Sequence, residues 1–188
     1  MSKDNKVLVA ELVGTFLLTG AVMWGANPFV ALGVLVLLIG GISGANVNPA
    51  VTTGMAFMKK ISAETLVKFW VVQIVGAYLA RIVYNYLKGK NFDLSLSFES
   101  SSAEMLVAEI LGGAIFLFGI TMAVGQKLDG IRLAVAVGGS LLLGATLGGI
   151  VNPAIALGLG TVTLANLVGP LIGAVLGTQL AQMMLGKK

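Results

Sequence analysis

The sequence contains no cysteine and no histidine. The first absence removes disulfides, a thiol nucleophile and thiolate metal sites. The second removes the commonest general base and the commonest metal ligand. Charge is scarce as well. Only 11% of residues are charged, where a soluble domain carries about 25% to cover its surface. Eight acidic residues remain, most of them near the ends of apolar segments. Enzymatic chemistry therefore has few candidates, and no catalytic residue, cofactor or metal site is expected. The net charge of +4 does not point to nucleic acid, because the basic residues are scattered in ones and twos rather than gathered in a stripe.

What the chain has instead is hydrophobicity, 57% of its residues with a mean hydropathy of +0.97. No charged residue occurs from Leu12 to Met58 or from Leu133 to Gly186. A bilayer-spanning helix needs ~20 apolar residues, so each stretch is too long for one span and must fold back. The start, Met1 to Lys6 followed by an apolar run, has the look of a signal peptide. Equally apolar segments continue to the C-terminus, which argues for a first span instead.

Six spans are expected, at approximately 7–26, 28–45, 63–87, 104–125, 130–147 and 164–185. Two leftover apolar segments, about 48–58 and 152–160, are too short to cross. Residues 88–102 are polar and should lie in water. If the spans alternate, Lys3, Lys6, Lys59, Lys60, Lys68, Lys127, Arg132, Lys187 and Lys188 fall on one side. Lys88, Lys90 and Arg81 fall on the other. The positive-inside rule then places both termini in the cytoplasm. Arg81 is expected to reach for the outer headgroups.

The chain repeats itself. Ala10-Glu11-Leu12-Val13-Gly14 matches Ala108-Glu109-Ile110-Leu111-Gly112, and Val47-Asn48-Pro49-Ala50 matches Val151-Asn152-Pro153-Ala154. Three spans per copy is an odd number, so the copies enter the membrane from opposite sides. The expected fold is an all-α integral membrane protein, six transmembrane helices plus two half-helices in an inverted three-plus-three repeat. The first repeat is 1–87, the connecting loop 88–103 and the second repeat 104–188. Inverted repeats place a pore or binding site near the midplane.

Each leftover segment begins with Asn-Pro-Ala. Proline is tolerated at the first helical position, and asparagine before it is a good cap. Asn48 and Asn152 thus read as caps of short helices that begin inside the membrane. Non-helical backbone at that depth survives only where protein buries it or a watery cavity adjoins it. One Asn-Pro would equally mark a turn between helices; two copies at matching places favour the half-helix. Their converging N-termini, each with roughly half a positive charge, would offer donors to passing oxygen atoms and repel cations. An oxygen so oriented interrupts a proton wire.

The residues that carry these features resemble the aquaporin and aquaglyceroporin superfamily, also called the major intrinsic proteins. Ala10-Glu11-Leu12-Val13-Gly14-Thr15-Phe16 is similar to the family's first span. Ile42-Ser43-Gly44-Ala45-Asn46-Val47-Asn48-Pro49-Ala50-Val51-Thr52 is similar to its first half-helix motif, with Asn46 where histidine is usual. Gln73 with Gly76-Ala77 resembles the third span, and Gly169-Pro170-Leu171-Ile172-Gly173-Ala174 the sixth. The resemblance implies a homotetramer in the lipid bilayer, with a pore per subunit for water or small neutral solutes. It implies a pore midpoint at Asn48, Pro49, Ala50, Asn152, Pro153 and Ala154. It also implies that Glu11 and Glu109 brace the half-helix loops, where a carboxylate reaching for interfacial water is the simpler alternative. Gln73 reads as a hydrogen-bonding residue between helices.

The pattern breaks after the second Asn-Pro-Ala, where the family usually has arginine and this chain has Ile155. Carrying the other selectivity-filter positions over gives Pro28 or Phe29, then Ser140, then Gly149. Such a filter has no fixed charge and is expected to be wide, passing water and solutes such as glycerol or urea. The competing expectations are a secondary transporter, or a gated or non-conducting structural protein closed by dewetting at Ile155. The lean loops suit a plasma membrane.

Overall fold

A computed structural model describes residues 1–147 and 149–186, with Thr161 through its backbone alone. Lys187 and Lys188, two of the basic residues used to orient the chain, lie outside the described residues. Among the described residues eight helices follow one another: α1 (Lys3–Met23), α2 (Pro28–Ser43), α3 (Pro49–Phe57), α4 (Ala63–Leu87), α5 (Ala103–Gly125), α6 (Gly130–Ala145), α7 (Pro153–Leu159) and α8 (Leu164–Met184). Their starts are written locally. Ser2, Ser62 and Ser102 accept from the backbone N–H three residues on, satisfying a donor that has no partner within the helix. At α8, Thr163 and Asn166 cap each other reciprocally.

Helices α1, α4, α5 and α8 are each long and apolar enough to cross a membrane. α2 and α6 are shorter than expected, at 16 residues apiece. At 1.5 Å per residue they rise about 24 Å, short of the ~30 Å hydrocarbon core. α2 stops because Gly44 turns left-handed (φ 89°) and donates back to Gly40. The loop behind it then drops to the middle of the bundle, where α3 begins.

α4 lies along α1, and α8 lies along α5 in the second half. Two equivalent glycines permit the approach. A Cβ on Gly76 would sit 2.4 Å from the Leu12 carbonyl oxygen, and one on Gly173 would sit 2.1 Å from that of Ile110. α2 crosses to α6 and joins the halves. The half-helices cross over too: α3 packs against α8, and α7 packs against α4.

Polarity is inside out. Val67, Val71, Val75, Leu79 and Val83 form an exposed i, i+4 stripe on α4, whereas Glu11, Gln73, Thr52, Asn48, Asn152 and Glu109 are buried. That is the distribution a bilayer demands, with apolar surface outward and hydrogen-bonded polar groups within.

The 88–102 loop is not wholly open. Ser97–Glu99 (β1) pairs in parallel with Thr161–Thr163 (β2), the segment between α7 and α8. Arg81 does not reach for headgroups. It is 9% exposed, with Nη1 donating to the Ser95 carbonyl at 2.9 Å. The loop folds back over it and offers a nearer acceptor than lipid does.

Replacing Gly173 or Gly177 by alanine should destabilise the α5–α8 seam by about 1–3 kcal/mol, the usual range for overpacking, because each new Cβ meets backbone on α5. Gly20→Ala and Gly41→Ala, whose Cβ positions meet nothing within 4 Å, should be neutral or slightly stabilising. Thermal unfolding in detergent measures the difference.

Candidate functional site

Asn48 and Asn152 cap α3 and α7 from within the bundle. Asn48 Oδ1 accepts from Ala50 N at 2.7 Å. Asn152 Oδ1 accepts from Ala154 N at 3.1 Å and from Ile155 N at 3.4 Å. Pro49 and Pro153 stand at N1 of the two helices. Ala50 and Ala154 are fully buried beside them.

The amide nitrogens do something the cap alone does not require. Asn48 Nδ2 donates across to the Val151 carbonyl at 2.8 Å, and Asn152 Nδ2 donates back to the Val47 carbonyl at 3.1 Å. Each asparagine thus caps its own half-helix and grips the loop of the other half. An amide NH₂ has a second N–H, and both asparagines line the same cavity.

Those carbonyls are aimed by unusual backbone. Val47 has φ 43° and Val151 φ 56°. Left-handed conformation is costly for a β-branched residue, so something must hold it. Glu11 does so in the first half: Oε1 accepts from Asn46 N at 2.9 Å and Oε2 from Val47 N at 2.7 Å. Glu109 does the same in the second: Oε1 accepts from Ile150 N at 2.8 Å and Oε2 from Val151 N at 2.9 Å. Glu11 has further support. Gln73 Nε2 donates to Glu11 Oε2 at 2.8 Å and to Thr52 Oγ1 at 2.9 Å. Thr52 Oγ1 in turn donates to the Asn48 carbonyl at 3.0 Å.

A cavity of about 220 Å³ opens from the asparagines toward the end of the bundle that carries the 88–102 loop, here the loop face. Asn46, Asn48 and Asn152 bring polar side chains to it. Leu18, Val22, Leu32, Phe116, Leu141, Ala145, Ile150 and Leu159 form most of the wall. Of the residues expected from sequence to form the filter, Pro28, Gly149 and Ile155 line the cavity. Phe29 and Ser140 are not among its lining residues. The Phe29 carbonyl faces Gly138 of α6. Ser140 Oγ donates to the Ala136 carbonyl at 2.6 Å and packs into the α5–α6 seam against Gly119. Its neighbour Leu141 faces the cavity instead. Sequence reasoning also missed Asn46 as a wall residue, although it stands two positions before the capping asparagine.

Removing the Glu11 carboxylate leaves two backbone donors and the Gln73 amide without their acceptor. Among the described residues, removing Glu109 strands two backbone donors. Each stranded donor costs about 1–3 kcal/mol. Glu11→Ala should therefore lower stability more than Glu109→Ala, as read from paired thermal melts in one detergent.

Comparison with known proteins matches this geometry. Residues 7–180 fit the model of the family described as "Major intrinsic protein". The chain is 30% identical over 225 aligned positions to Aquaporin Z of Brucella melitensis, covering 96% of this chain and 98% of that protein. It is 31% identical over 131 residues to the probable aquaporin PIP2-7 of Oryza sativa subsp. japonica, covering 66% of this chain but only 44% of the rice protein. In fold it superposes on the X-ray structure of the aquaglyceroporin from Plasmodium falciparum, with a TM-score of 0.73, 22% identity, and coverage of 94% of this chain and 95% of that one. The extent of these matches, together with two Asn-Pro half-helices that grip each other's loops, makes the chain a member of the major intrinsic protein family.

Proposed function

We propose that the protein is a passive transmembrane channel for water and small uncharged solutes such as glycerol, rather than an enzyme or a coupled transporter. The observation that carries this reading is the asparagine crossing at the floor of an apolar cavity. Two helix N-termini and two amide donors meet there, with a few donors for a solute oxygen and an otherwise weakly binding wall. Such a wall suits conduction, which requires that a permeant leave as readily as it enters. A coupled transporter needs an ion site near the midplane. Among the described residues, the buried carboxylates near the crossing are Glu11 and Glu109, and both are committed to loop amides.

The constriction is formed by Ile155 and Gly149 with Pro28, and by Leu141 in the place first expected for Ser140. It has no arginine and is wide for this family. The cell membrane is the proposed site, with both termini in the cytoplasm. Among the described residues, Lys3, Lys6, Lys59, Lys60, Lys68, Lys127 and Arg132 lie toward the terminal face, against Arg81, Lys88 and Lys90 toward the loop. Assembly is proposed as a homotetramer with a pore in each subunit.

Proteoliposomes shocked with glycerol test the reading by stopped-flow light scattering. Fast shrinkage followed by fast reswelling is expected. Fast shrinkage with reswelling at the rate of empty liposomes would contradict the wide constriction, and no acceleration of either phase would contradict the channel. Ile155→Arg should slow glycerol at least about tenfold, a barrier change of ~1.4 kcal/mol, while slowing water less.

A further inference from the structure

Among the described residues, none of the side chains that line the cavity is acidic or basic. The nearest buried cation lies farther out. α7 starts at the asparagine crossing and ends at Gly160, so its C-terminal carbonyls face the mouth on the loop face. A helix C-terminus carries roughly half a negative charge, and a bare one at a pore mouth would collect cations. Here Arg81 stands against it. A Cβ on Gly160 would lie 2.6 Å from Arg81 Cζ and Nη1 and 2.7 Å from Nη2. Gly160 is left-handed (φ 85°), so the turn brings bare backbone onto the guanidinium.

Arg81 is not closed off from the mouth. It lines a second cavity of about 490 Å³ with Lys90, Asn85, Asn91 and Asp93. Leu159 lines both cavities, and Met23 of this one follows Val22 of the other. Lys90 Nζ lies 5.3 Å from the centre of the Tyr84 ring, and Lys88 Nζ lies 4.5 Å from that of Trp24. These cation–π contacts hold both ammonium groups at the rim. Among the described residues, the one carboxylate lining this cavity is Asp93. Its hydrogen bonds with Ser95, and more weakly the Arg81 charge, hold it below the usual carboxylate range. It offsets one of the two positive charges of that lining, Arg81 and Lys90, and leaves the lining with one net positive charge.

We propose that Arg81, assisted by Lys90, is a second cation-excluding group of this channel, at the mouth rather than at the asparagine floor. It is a fixed positive charge at the mouth in place of one at the constriction. The proposal rests on the channel reading above. Arg81 stands about one and a half helical turns beyond Ile155, roughly 8 Å along α7. At that range, with an effective dielectric of about 20, a unit charge changes the local concentration of a monovalent cation about thirtyfold, and about five- to tenfold once salt screens it.

Urea and guanidinium are nearly the same size and shape and differ by one charge, so their ratio of entry into proteoliposomes isolates the effect. Arg81→Gln should raise the guanidinium-to-urea ratio about tenfold with water permeability within about twofold of wild type. Arg81→Lys keeps the charge but loses the planar fork, and should keep the wild-type ratio. Lys90→Glu reverses an exposed charge that makes no hydrogen bond among the described residues. It should raise the ratio about threefold, and it carries the test if Arg81→Gln fails to insert. An unchanged ratio in Lys90→Glu and in any folded Arg81→Gln would overturn the proposal. So would a raised ratio in Arg81→Lys, which would make the arginine a structural clamp for α7 and the loop. A wild-type protein that passes neither water nor urea would refute the channel reading instead.

Discussion

The reciprocal hydrogen bonds from Asn48 to the Val151 carbonyl and from Asn152 to the Val47 carbonyl are the constraint on which the rest depends. They require two helices to begin in the middle of the bundle. They also require two loops to present carbonyl groups inward at membrane depth. Regular helix forbids this, because its carbonyls are already engaged. Val47 and Val151 therefore leave the ordinary backbone regions, at a cost of order 1–3 kcal/mol each. That cost is local, and so is what offsets it: one carboxylate per loop accepts the two amides freed by the turn. The glutamates fix the loops, the loops fix the carbonyls, and the carbonyls fix the asparagines.

The two halves solve this problem unequally. Glu11 has the Gln73 amide beside it, and Thr52 links Gln73 to the Asn48 carbonyl. In the second half the positions equivalent to Gln73 and Thr52 hold Pro170 and Ala156, neither of which has a side-chain donor. Among the described residues, Glu109 is left with two backbone amides as its donors. It also lies close under the cavity wall: a Cβ on Gly149 would come within 2.9 Å of its Oε2. Glycine there lets the loop sit down on the carboxylate while keeping that part of the wall thin. Both loops reach the cavity, the first through Asn46 and the second through Gly149 and Ile150, so the half with less polar bracing gives the wall more of its loop.

Much of this was legible in the sequence because its signals are covalent and local. An asparagine before a proline, repeated at matching places in charge-free stretches, specifies two capped half-helices without reference to the rest of the fold. A carboxylate inside an apolar span marked Glu11 and Glu109 as candidates, but it was the family resemblance that implied bracing over a carboxylate reaching for interfacial water. Side-chain direction was not. Ser140 and Leu141 are adjacent on α6, about 100° apart around the helix axis. In a membrane both the lipid side and the protein side of a helix are apolar, so hydropathy does not say which faces the cavity. Arg81 was misread for a related reason. Reaching for headgroups is the default for a cation near a helix end, and only the return of the 88–102 loop, pinned by β1 on β2, supplies a closer acceptor.

The same loop bears on how an uncharged wall can discriminate. An apolar cavity lowers the cost of passing a neutral solute mainly by binding it weakly, and it offers a cation nothing in exchange for lost hydration. Desolvation alone would exclude ions if the wall were dry throughout. It is not dry at the floor, where Asn46, Asn48 and Asn152 meet, nor at the mouth, where the α7 carbonyls end. The floor presents donors, which suit oxygen atoms and oppose cations. The mouth would present acceptors, which do the reverse, unless something covered them. Gly160 N donates to the Ala156 and Leu157 carbonyls and Ser97 N to that of Gly160, while the Arg81 guanidinium packs beside Gly160 and β1 lies over the segment that follows. The orientation of donors and acceptors is thereby the same at both ends of the cavity, although one end is built from neutral amides and the other from a guanidinium.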